Sequence, residues 1–302
     1  MKKKVTKIDR INNVAIIGAG VAGLAAAQVL GDQGISVHLI EKENHLGGNA
    51  SLWGCMATDS CEQCGACLGY EMADGVTRHN KINCYLNSKV SSIRQMNDGY
   101  QIDLNAMQNQ SLLSDAIILA TGFSQAEPFG LLKKINEKYK NIVTTVGLNK
   151  LVTTNMLSIW IGEGLSPKIA FFQCVGSRNR EIGKDYCSQV CCKISLRHIK
   201  KILKLYPKAE ITLFYIDLQL IGKEIRSQFT KLSENINLIQ GVPQEVFNNK
   251  KKGKLSIIRE NELTDDGRII DHFDRIVLSV GIQARKDTSS ITESLGIDSD
   301  YW

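Results

Sequence analysis

Eight of the nine cysteines in this 302-residue chain fall into two groups whose spacing could support metal or redox chemistry. The first group is Cys55, Cys61, Cys64 and Cys67, and the second is Cys174, Cys187, Cys191 and Cys192. Thiolates are nucleophiles and soft metal ligands. In a reducing compartment, thiols crowded in this way indicate metal or redox sites more than structural disulfides.

The second group has the spacing C-x12-C-x3-C-C and follows a strand-like run, PKIAFFQ, at 167–173. We predict a helix from about Ser188, which puts two of its cysteines in the first turn, where the helix dipole stabilises thiolates. From the residues alone, a Cys₄ iron–sulfur site, a zinc site and four buried structural thiols all remain open. Zinc more often uses paired C-x2-C knuckles, and a neighbouring flavin would favour a redox centre.

In the first group, Cys61-x2-Cys64-x2-Cys67 resembles the first three ligands of a bacterial ferredoxin cluster. Its fourth ligand is open, because Cys55 lies six positions upstream and Cys84 seventeen positions downstream. The alternatives are a second cluster, a redox dithiol facing a flavin, and a cluster completed by another protein of a complex.

A dinucleotide-binding element precedes both groups. The strand-like run NVAIIG ends at Gly18, Gly20 and Gly23 follow in a G-x-G-x-x-G pattern, and a helical run leads to a second strand that ends in Glu41. The glycines are expected to give a tight turn, close backbone approach to a pyrophosphate, and helix–sheet packing. Glu41 lies 41 − 23 = 18 positions after the last glycine, where an acid binds ribose hydroxyls.

The residues after Glu41 resemble the flavoprotein group of oxidoreductases with two dinucleotide-binding domains. Lys42 follows directly, Gly47-Gly48 stands just past the second strand, and Thr121-Gly122 ends a third strand-like run. Between them, residues 80–112 alternate as a small antiparallel insertion would, with Asn97-Asp98-Gly99 as a hairpin turn. The resemblance implies FAD as the cofactor.

A second βαβ unit is predicted over residues 167–217. In related reductases such a unit binds NAD(P)H through a glycine-rich loop, but here the loop reads Cys174-Val-Gly-Ser-Arg178 and lacks the glycines that phosphate approach requires. We therefore expect no nicotinamide dinucleotide at this position.

The phrase QCVGSR…YCSQVCC, together with the first fingerprint and the strand order, resembles the A-subunit family of heterodisulfide reductases over about residues 12–290. The resemblance implies a [4Fe–4S] cluster on Cys174, Cys187, Cys191 and Cys192. It also makes a second cluster plausible on Cys55, Cys61, Cys64 and Cys67. No catalytic residue is assigned.

The expected fold class is α/β, with two Rossmann-like domains similar to thioredoxin reductase. The expected divisions are an FAD domain, a connecting segment, the second Rossmann-like domain, and a shortened return to the FAD domain without its usual flavin-contacting strand. They are placed at 1–125, 126–165, 166–282 and 283–302, respectively.

The positive charges that give the net charge of +6 are scattered along the chain, so nucleic-acid binding is not expected. The glycines within residues 14–30 argue against a signal peptide or membrane span, and a cytoplasmic protein is expected.

The resulting hypothesis is an electron-transfer subunit that passes electrons between FAD and an iron–sulfur cluster, for partner proteins acting on disulfide or sulfur substrates. Implied partners are other heterodisulfide-reductase-like subunits, a ferredoxin-type carrier, and a second copy of the chain. The alternatives are a stand-alone NAD(P)H-dependent disulfide reductase and a zinc-stabilised binding module.

Overall fold

The computed structural model describes residues 11–57, 61, 65–106, 109–128, 138–162, 166–243, 245–249, 254–260 and 267–298. The chain divides into two compact units. Unit 1 contains residues 1–53, 65–124 and 284–302, and unit 2 contains residues 54–64 and 125–283.

Unit 1 is built on a four-stranded parallel sheet in the order β3-β2-β1-β7. Its strands are β1 (Asn13–Ile17), β2 (Ser36–Ile40), β3 (Ile82–Tyr85) and β7 (Ala116–Leu119). An antiparallel layer is formed by β4 (Lys89–Met96), β5 (Gly99–Asn105) and β6 (Gln110–Ser114). The helices are α1 (Val21–Asp32), α2 (Gly48–Ser51), α3 (Leu68–Thr77) and α8 (Lys286–Leu295).

Alternate residues of β1 enter two different cores because successive side chains point to opposite faces of a sheet. Val14 and Ile16 pack in the core that contains α1, whereas Ala15 and Ile17 pack in the core that contains the antiparallel layer. The strand is therefore apolar and buried after Asn13, as expected for a parallel strand covered on both faces.

Unit 2 repeats this design with a five-stranded parallel sheet in the order β12-β11-β10-β16-β9. Its strands are β9 (Ile142–Thr144), β10 (Lys168–Val175), β11 (Glu210–Tyr215), β12 (Asn237–Gln240) and β16 (Arg275–Val280). The antiparallel layer is β13 (Glu245–Asn249), β14 (Lys254–Glu260) and β15 (Arg268–Phe273). The helices are α4 (Thr145–Thr153), α5 (Leu157–Ile161), α6 (Cys191–Leu205) and α7 (Lys223–Ser233).

The central strand β10 again divides its side chains between two cores. Ile169 and Phe171 pack in the core that contains α6, while Ala170 and Phe172 pack in the core that contains the antiparallel layer. Two short strands, β8 (Phe123–Gln125) and β17 (Ile282–Ala284), pair with each other. The chain passes from unit 1 to unit 2 within β8 and returns to unit 1 within β17. Among the described helices, none is both long and apolar enough to span a membrane.

The predicted α/β class with two Rossmann-like sheets is confirmed, but several boundaries differ. The stretch Ile82–Tyr85 joins the parallel sheet through β2, so the antiparallel insertion covers 89–114 and not 80–112. Residues 126–165 are more than a connection, since they supply β9, α4 and α5 to unit 2. Helix α6 begins at Cys191, three residues later than expected, and residues 286–295 form α8.

Candidate functional site

The glycine loop between β1 and α1 shows why two of its three glycines cannot carry a side chain. Gly18 has φ +106°, and a Cβ there would lie 2.3 Å from the carbonyl oxygen of Ala120. A Cβ on Gly23 would lie 1.9 Å from the carbonyl oxygen of Gly18. The conformation of the loop therefore requires glycine at both positions.

Gly20 differs, because a Cβ there would meet no described atom within 4 Å. Its φ of −73° and ψ of −177° suit any residue, and it is the N-cap of α1 without a side-chain hydrogen bond. Gly20 lines a cavity of about 310 Å³ in unit 1. The open space in front of an uncapped helix N-terminus is the arrangement that receives a phosphate group.

Glu41 fixes the loop at the end of β2. Its side chain is buried at 6% exposure, its Oε2 accepts a 2.8 Å hydrogen bond from the Ala19 amide, and its Oε1 accepts one of 3.0 Å from the Glu43 amide. The carboxylate lines the same cavity and retains lone pairs for a further donor. It can therefore position the loop and accept a ribose hydroxyl together.

Gly47 and Gly48 bring a second turn against the first. Both have left-handed φ, +98° and +54°, and the Gly47 amide donates a 2.8 Å hydrogen bond to the carbonyl oxygen of Ala19. A Cβ on Gly48 would lie 2.9 Å from the Cα of Gly20. Gly48 thus keeps the cavity wall beside Gly20 free of side-chain atoms.

The start of α8 contributes side chains to this cavity that no sequence motif indicated. Lys42 forms an ion pair with Asp287, and Arg285 donates a 3.4 Å hydrogen bond to the carbonyl oxygen of Thr121. Burial alone would raise the pKa of Asp287, but the hydrogen bond and charge of Lys42, together with Arg285, lower it. No glycine or cysteine pattern marks this segment, so only its proximity in the fold shows that it lines the cavity.

The thiol group of unit 2 begins at a bulge in β10. Phe172 pairs with Leu278 and Val175 with Val280, so two residues of β10 stand opposite one residue of β16. Cys174 lies in this bulge with φ +61°, a left-handed conformation that non-glycine residues rarely adopt. Because a bulge changes the direction of a side chain, it determines where this thiol points.

Two more thiols stand at the first two positions of α6. Cys191 and Cys192 are buried at 1% and 3% exposure, and the Val190 N-cap provides no side-chain hydrogen bond to the helix. Hydrogen bonds from Cys174 and Cys192 hold the pKa of Cys191 well below its usual range. The hydrogen bond to Cys191 correspondingly raises the pKa of both neighbours. The three thiols therefore stabilise one negative charge, centred on Cys191.

The loop that carries Cys187 is attached to the end of β16. The Ile282 amide donates a 3.0 Å hydrogen bond to Ser188 Oγ, and the Tyr186 hydroxyl donates one of 2.9 Å to the Ile282 carbonyl oxygen. A Cβ on Gly281 would lie 2.2 Å from Ser188 Oγ, so only glycine permits this approach. Cys187 is half-buried, and its charge contributes to the raised pKa of Cys192.

The first cysteine group is not assembled within one unit. Cys55 and Cys61 are exposed residues of unit 2, Cys67 is exposed at the N-cap of α3 in unit 1, and Cys64 lies outside the described residues. Cys84 is a half-buried residue of β3, and burial raises its pKa. Within the described part of the chain, no three His, Cys, Asp or Glu side chains are already arranged to hold a metal ion.

The residues present fit the two implied cofactors to different degrees. For a dinucleotide the cavity supplies an uncapped helix, an open position at Gly20, and a buried acid at Glu41. For an iron–sulfur group, the second thiol group supplies buried sulfur donors at a helix N-terminus. Beside them, the buried Ser177 hydroxyl has no partner among the described residues, so it could donate to a sulfur atom of such a group.

Comparison with known proteins is consistent with this geometry. Residues 12–159 match the family model described as pyridine nucleotide-disulphide oxidoreductase. Among solved structures, thioredoxin reductase of Lactococcus lactis matches with a TM-score of 0.61 at 18% identity, covering 96% of this chain and 83% of that one. The T. acidophilum thioredoxin reductase matches with a TM-score of 0.56 at 17% identity, covering 90% and 78%. These similarities establish the fold.

The comparison of sequences is more specific than the comparison of structures. The A-subunit of the H(2)/formate:CoB-CoM heterodisulfide,ferredoxin reductase of Methanococcus maripaludis is 24% identical over 98% of this chain and 57% of its own length. An iron-sulfur A-subunit of the CoB--CoM heterodisulfide reductase of Methanopyrus kandleri is 28% identical over 97% and 57%. The chain therefore spans a little over half the length of these relatives. The chain is thus similar in sequence to the heterodisulfide reductase A-subunits, and residues 12–159 match the pyridine nucleotide-disulphide oxidoreductase model.

Proposed function

We propose that the chain is an FAD-dependent iron–sulfur oxidoreductase that serves as the electron-transfer subunit of a heterodisulfide-reductase-like complex. The observation that carries this proposal is the replacement of the second nucleotide loop by thiols. Cys174 occupies the end of the central strand, and Cys191 and Cys192 begin the helix that follows in the same βαβ unit. A parallel strand end followed by a helix is where a Rossmann-like unit normally binds phosphate.

In unit 1, FAD would supply electron transfer in one- or two-electron steps. The α1 N-terminus and the open position at Gly20 would bind its pyrophosphate, and Glu41 would accept a ribose hydroxyl. Gly48, Thr121 and Gly122 line the same cavity, and Gly47 directly precedes Gly48. A Cβ on Gly122, at φ +69°, would meet no described atom within 4 Å. Lys42, held by Asp287, adds positive charge at the cavity wall.

In unit 2, a [4Fe–4S] cluster held by Cys174, Cys187, Cys191 and Cys192 would supply one-electron transfer. Burial of three of these thiols excludes water, and the N-terminus of α6 stabilises thiolate charge. A second cluster on Cys55, Cys61, Cys64 and Cys67 is part of the proposal.

The same arrangement disfavours a nicotinamide dinucleotide in unit 2. Thiolates and a dinucleotide phosphate are both anionic and would compete for one helix N-terminus. This distinguishes the proposal from a stand-alone NAD(P)H-dependent disulfide reductase.

The partners and substrates are inferred from the relatives' names. Relatives are named as A-subunits of CoB-CoM heterodisulfide reductases, several with ferredoxin in the name. By extension we propose that this chain assembles in the cytoplasm with heterodisulfide-reductase-like subunits. It would also exchange electrons with a ferredoxin-type carrier and serve a disulfide or sulfur substrate. A homodimer is included in this proposed assembly.

The test is quantification of flavin, iron, zinc and acid-labile sulfide in anaerobically purified protein and in Cys191→Ala and Cys64→Ala variants. The proposal expects FAD, iron and sulfide in the wild type, with most of the unit 2 cluster retained in Cys64→Ala and that cluster lost in Cys191→Ala. Zinc without sulfide would support the binding-module alternative. Equal loss of all iron in both variants would indicate one shared centre and contradict two separate sites.

A further inference from the structure

A groove between α6 and α7 in unit 2 has the charge of a docking surface. Six basic side chains are found among its described lining residues, against a single acid, Glu224. The basic residues are Lys193, Arg197, Lys200, Lys201, Lys204 and Lys231. The cavity measures about 550 Å³. So strong an excess of one sign in a concave surface raises the local concentration of oppositely charged partners.

The basic residues of α6 are not scattered around the helix. Lys193, Arg197, Lys200 and Lys204 follow one another at intervals of four, three and four positions, which places them on one face. Like charges at this spacing destabilise a helix. These four residues form the basic stripe of α6. Because their mutual repulsion lowers the stability of the helix, the stripe is better explained by a role in binding than by a role in folding.

Two of the groove's cations have a structural task. Arg197 Nη2 donates a 2.8 Å hydrogen bond to the Gly54 carbonyl oxygen, and Lys201 Nζ donates one of 2.5 Å to the Ala57 carbonyl oxygen. These bonds hold the segment that carries Cys55 and the buried Met56 against α6. The remaining groove lysines, including exposed Lys204 and Lys231, are not needed for these bonds.

The base of the groove is apolar, with contributions from Met56, Leu196, Ile225, Phe229 and Leu232. An apolar centre with a charged rim is the usual composition of a protein–protein interface. Lys204 lies eleven positions after Lys193, so the charges extend over about 17 Å at about 1.5 Å per residue. A small anion is bound by charges that converge on one point, whereas charges spread along a helix suit an extended acidic surface.

We propose that the α6–α7 groove is the docking site for a small acidic electron-carrier protein. The choice of an electron carrier rests on the proposed function, because the helix that bears the stripe begins with Cys191 and Cys192. Lys193 directly follows these thiols, so a partner on the stripe lies along the helix that holds them. Lysines, which are flexible and strongly hydrated, suit a fast and reversible electrostatic complex.

The test is the affinity of the full-length chain for a small, strongly acidic [2Fe–2S] ferredoxin, measured by fluorescence anisotropy of the labelled ferredoxin. The groove variant is Lys204→Glu/Lys231→Glu. The matched control is Lys150→Glu/Lys208→Glu, which changes the net charge equally at two exposed lysines of unit 2 outside the groove. Both are compared at about 0.01 M and about 0.15 M ionic strength, where the Debye lengths are about 30 Å and about 8 Å.

The proposal predicts that the groove variant weakens binding about tenfold or more at low ionic strength, whereas the control changes it less than about twofold. Equal weakening by both variants, or no binding by the wild type at low ionic strength, overturns it. Inorganic tripolyphosphate is tested in parallel. Tripolyphosphate binding that the groove variant abolishes, without ferredoxin binding, would identify a small-anion site instead.

Flavin and iron are quantified in every sample, which separates this proposal from the proposed function. Protein that contains FAD and iron but does not bind ferredoxin refutes only the docking site. Groove-dependent binding by anaerobically prepared protein that lacks iron refutes only the iron–sulfur function.

Discussion

The Ala19 amide donates a 2.8 Å hydrogen bond to a carboxylate oxygen of Glu41, 22 residues further along the chain. The other oxygen of the same carboxylate accepts from the Glu43 amide at 3.0 Å. One buried acid thus joins the glycine loop to the turn after β2. This relationship gives Glu41 a role in the protein without cofactor, beyond binding a ribose.

We therefore predict that Glu41→Gln lowers the free energy of unfolding of the flavin-free protein by about 2 kcal/mol, the range for hydrogen bonds to a charged group. An amide side chain has only one oxygen, so its NH₂ group would face one of the two backbone donors. Urea unfolding of flavin-free protein measures the change. Unchanged stability together with lost flavin would show that Glu41 acts on the cofactor alone.

Gly20→Val is predicted to fold normally and to lose FAD. The backbone at Gly20 accepts any residue, and a Cβ there enters open cavity space, so the new side chain would occupy the volume assigned to the pyrophosphate. The measurement is flavin absorbance per chain, with circular dichroism as the check on folding. Gly75→Ala in α3 is the control, since its Cβ would meet only the end of the Gln28 side chain, at 3.3 Å. A Gly20→Val protein that retains stoichiometric flavin would contradict the assigned phosphate position.

Cys174 offers a test of the strain at the β10 bulge. Its φ of +61° favours glycine, so Cys174→Gly should be more stable than Cys174→Ala by about 1 kcal/mol in cluster-free protein. Both changes remove the thiol, so the comparison isolates the backbone term. Chemical denaturation of the two variants checks the difference. If alanine were the more stable residue, the left-handed conformation would not be a source of strain.

His198 should make stability depend on pH. Burial, aided by the nearby charge of Arg197, lowers its pKa from 6.5 to about 3. The unfolded chain therefore binds a proton that the folded chain excludes between these values, and stability is lost as pH falls below about 6.5. The loss attributable to this group is about 2 kcal/mol between pH 7 and pH 5. His198→Leu should remove that part of the slope in urea titrations, and an unchanged slope would contradict a neutral buried imidazole.

Much of the nucleotide-type fold could be predicted because its determinants are local. A Cβ on Gly23 is excluded by the Gly18 carbonyl oxygen of the same βαβ unit, so this spacing reports the turn directly, whereas a Cβ on Gly18 is excluded by the Ala120 carbonyl oxygen just past β7. The bulge at Cys174 and the start of α6 likewise lie within one βαβ unit. The spacing of the cysteines along the chain is therefore enough to predict that thiols occupy the connection between β10 and α6.

Long-range features could not be predicted in the same way. Strand β9 has only three residues and forms because β16 pairs with it from more than 130 positions away. Asp287 lines the unit 1 cavity through an ion pair with Lys42 across 245 positions, without any motif. Cys61 and Cys67 are close in sequence yet belong to different units, which spacing alone does not reveal.

The central claim is that thiols have replaced a nicotinamide site, and anaerobic reduction of the flavin tests it most directly. Purified wild-type protein is titrated with NADPH and, separately, with NADH, while flavin absorbance is followed, and dithionite serves as the positive control. The account predicts an unchanged flavin spectrum with either pyridine nucleotide and complete bleaching with dithionite. Rapid stoichiometric reduction of the flavin by NADPH or NADH would contradict it and restore the disulfide-reductase alternative.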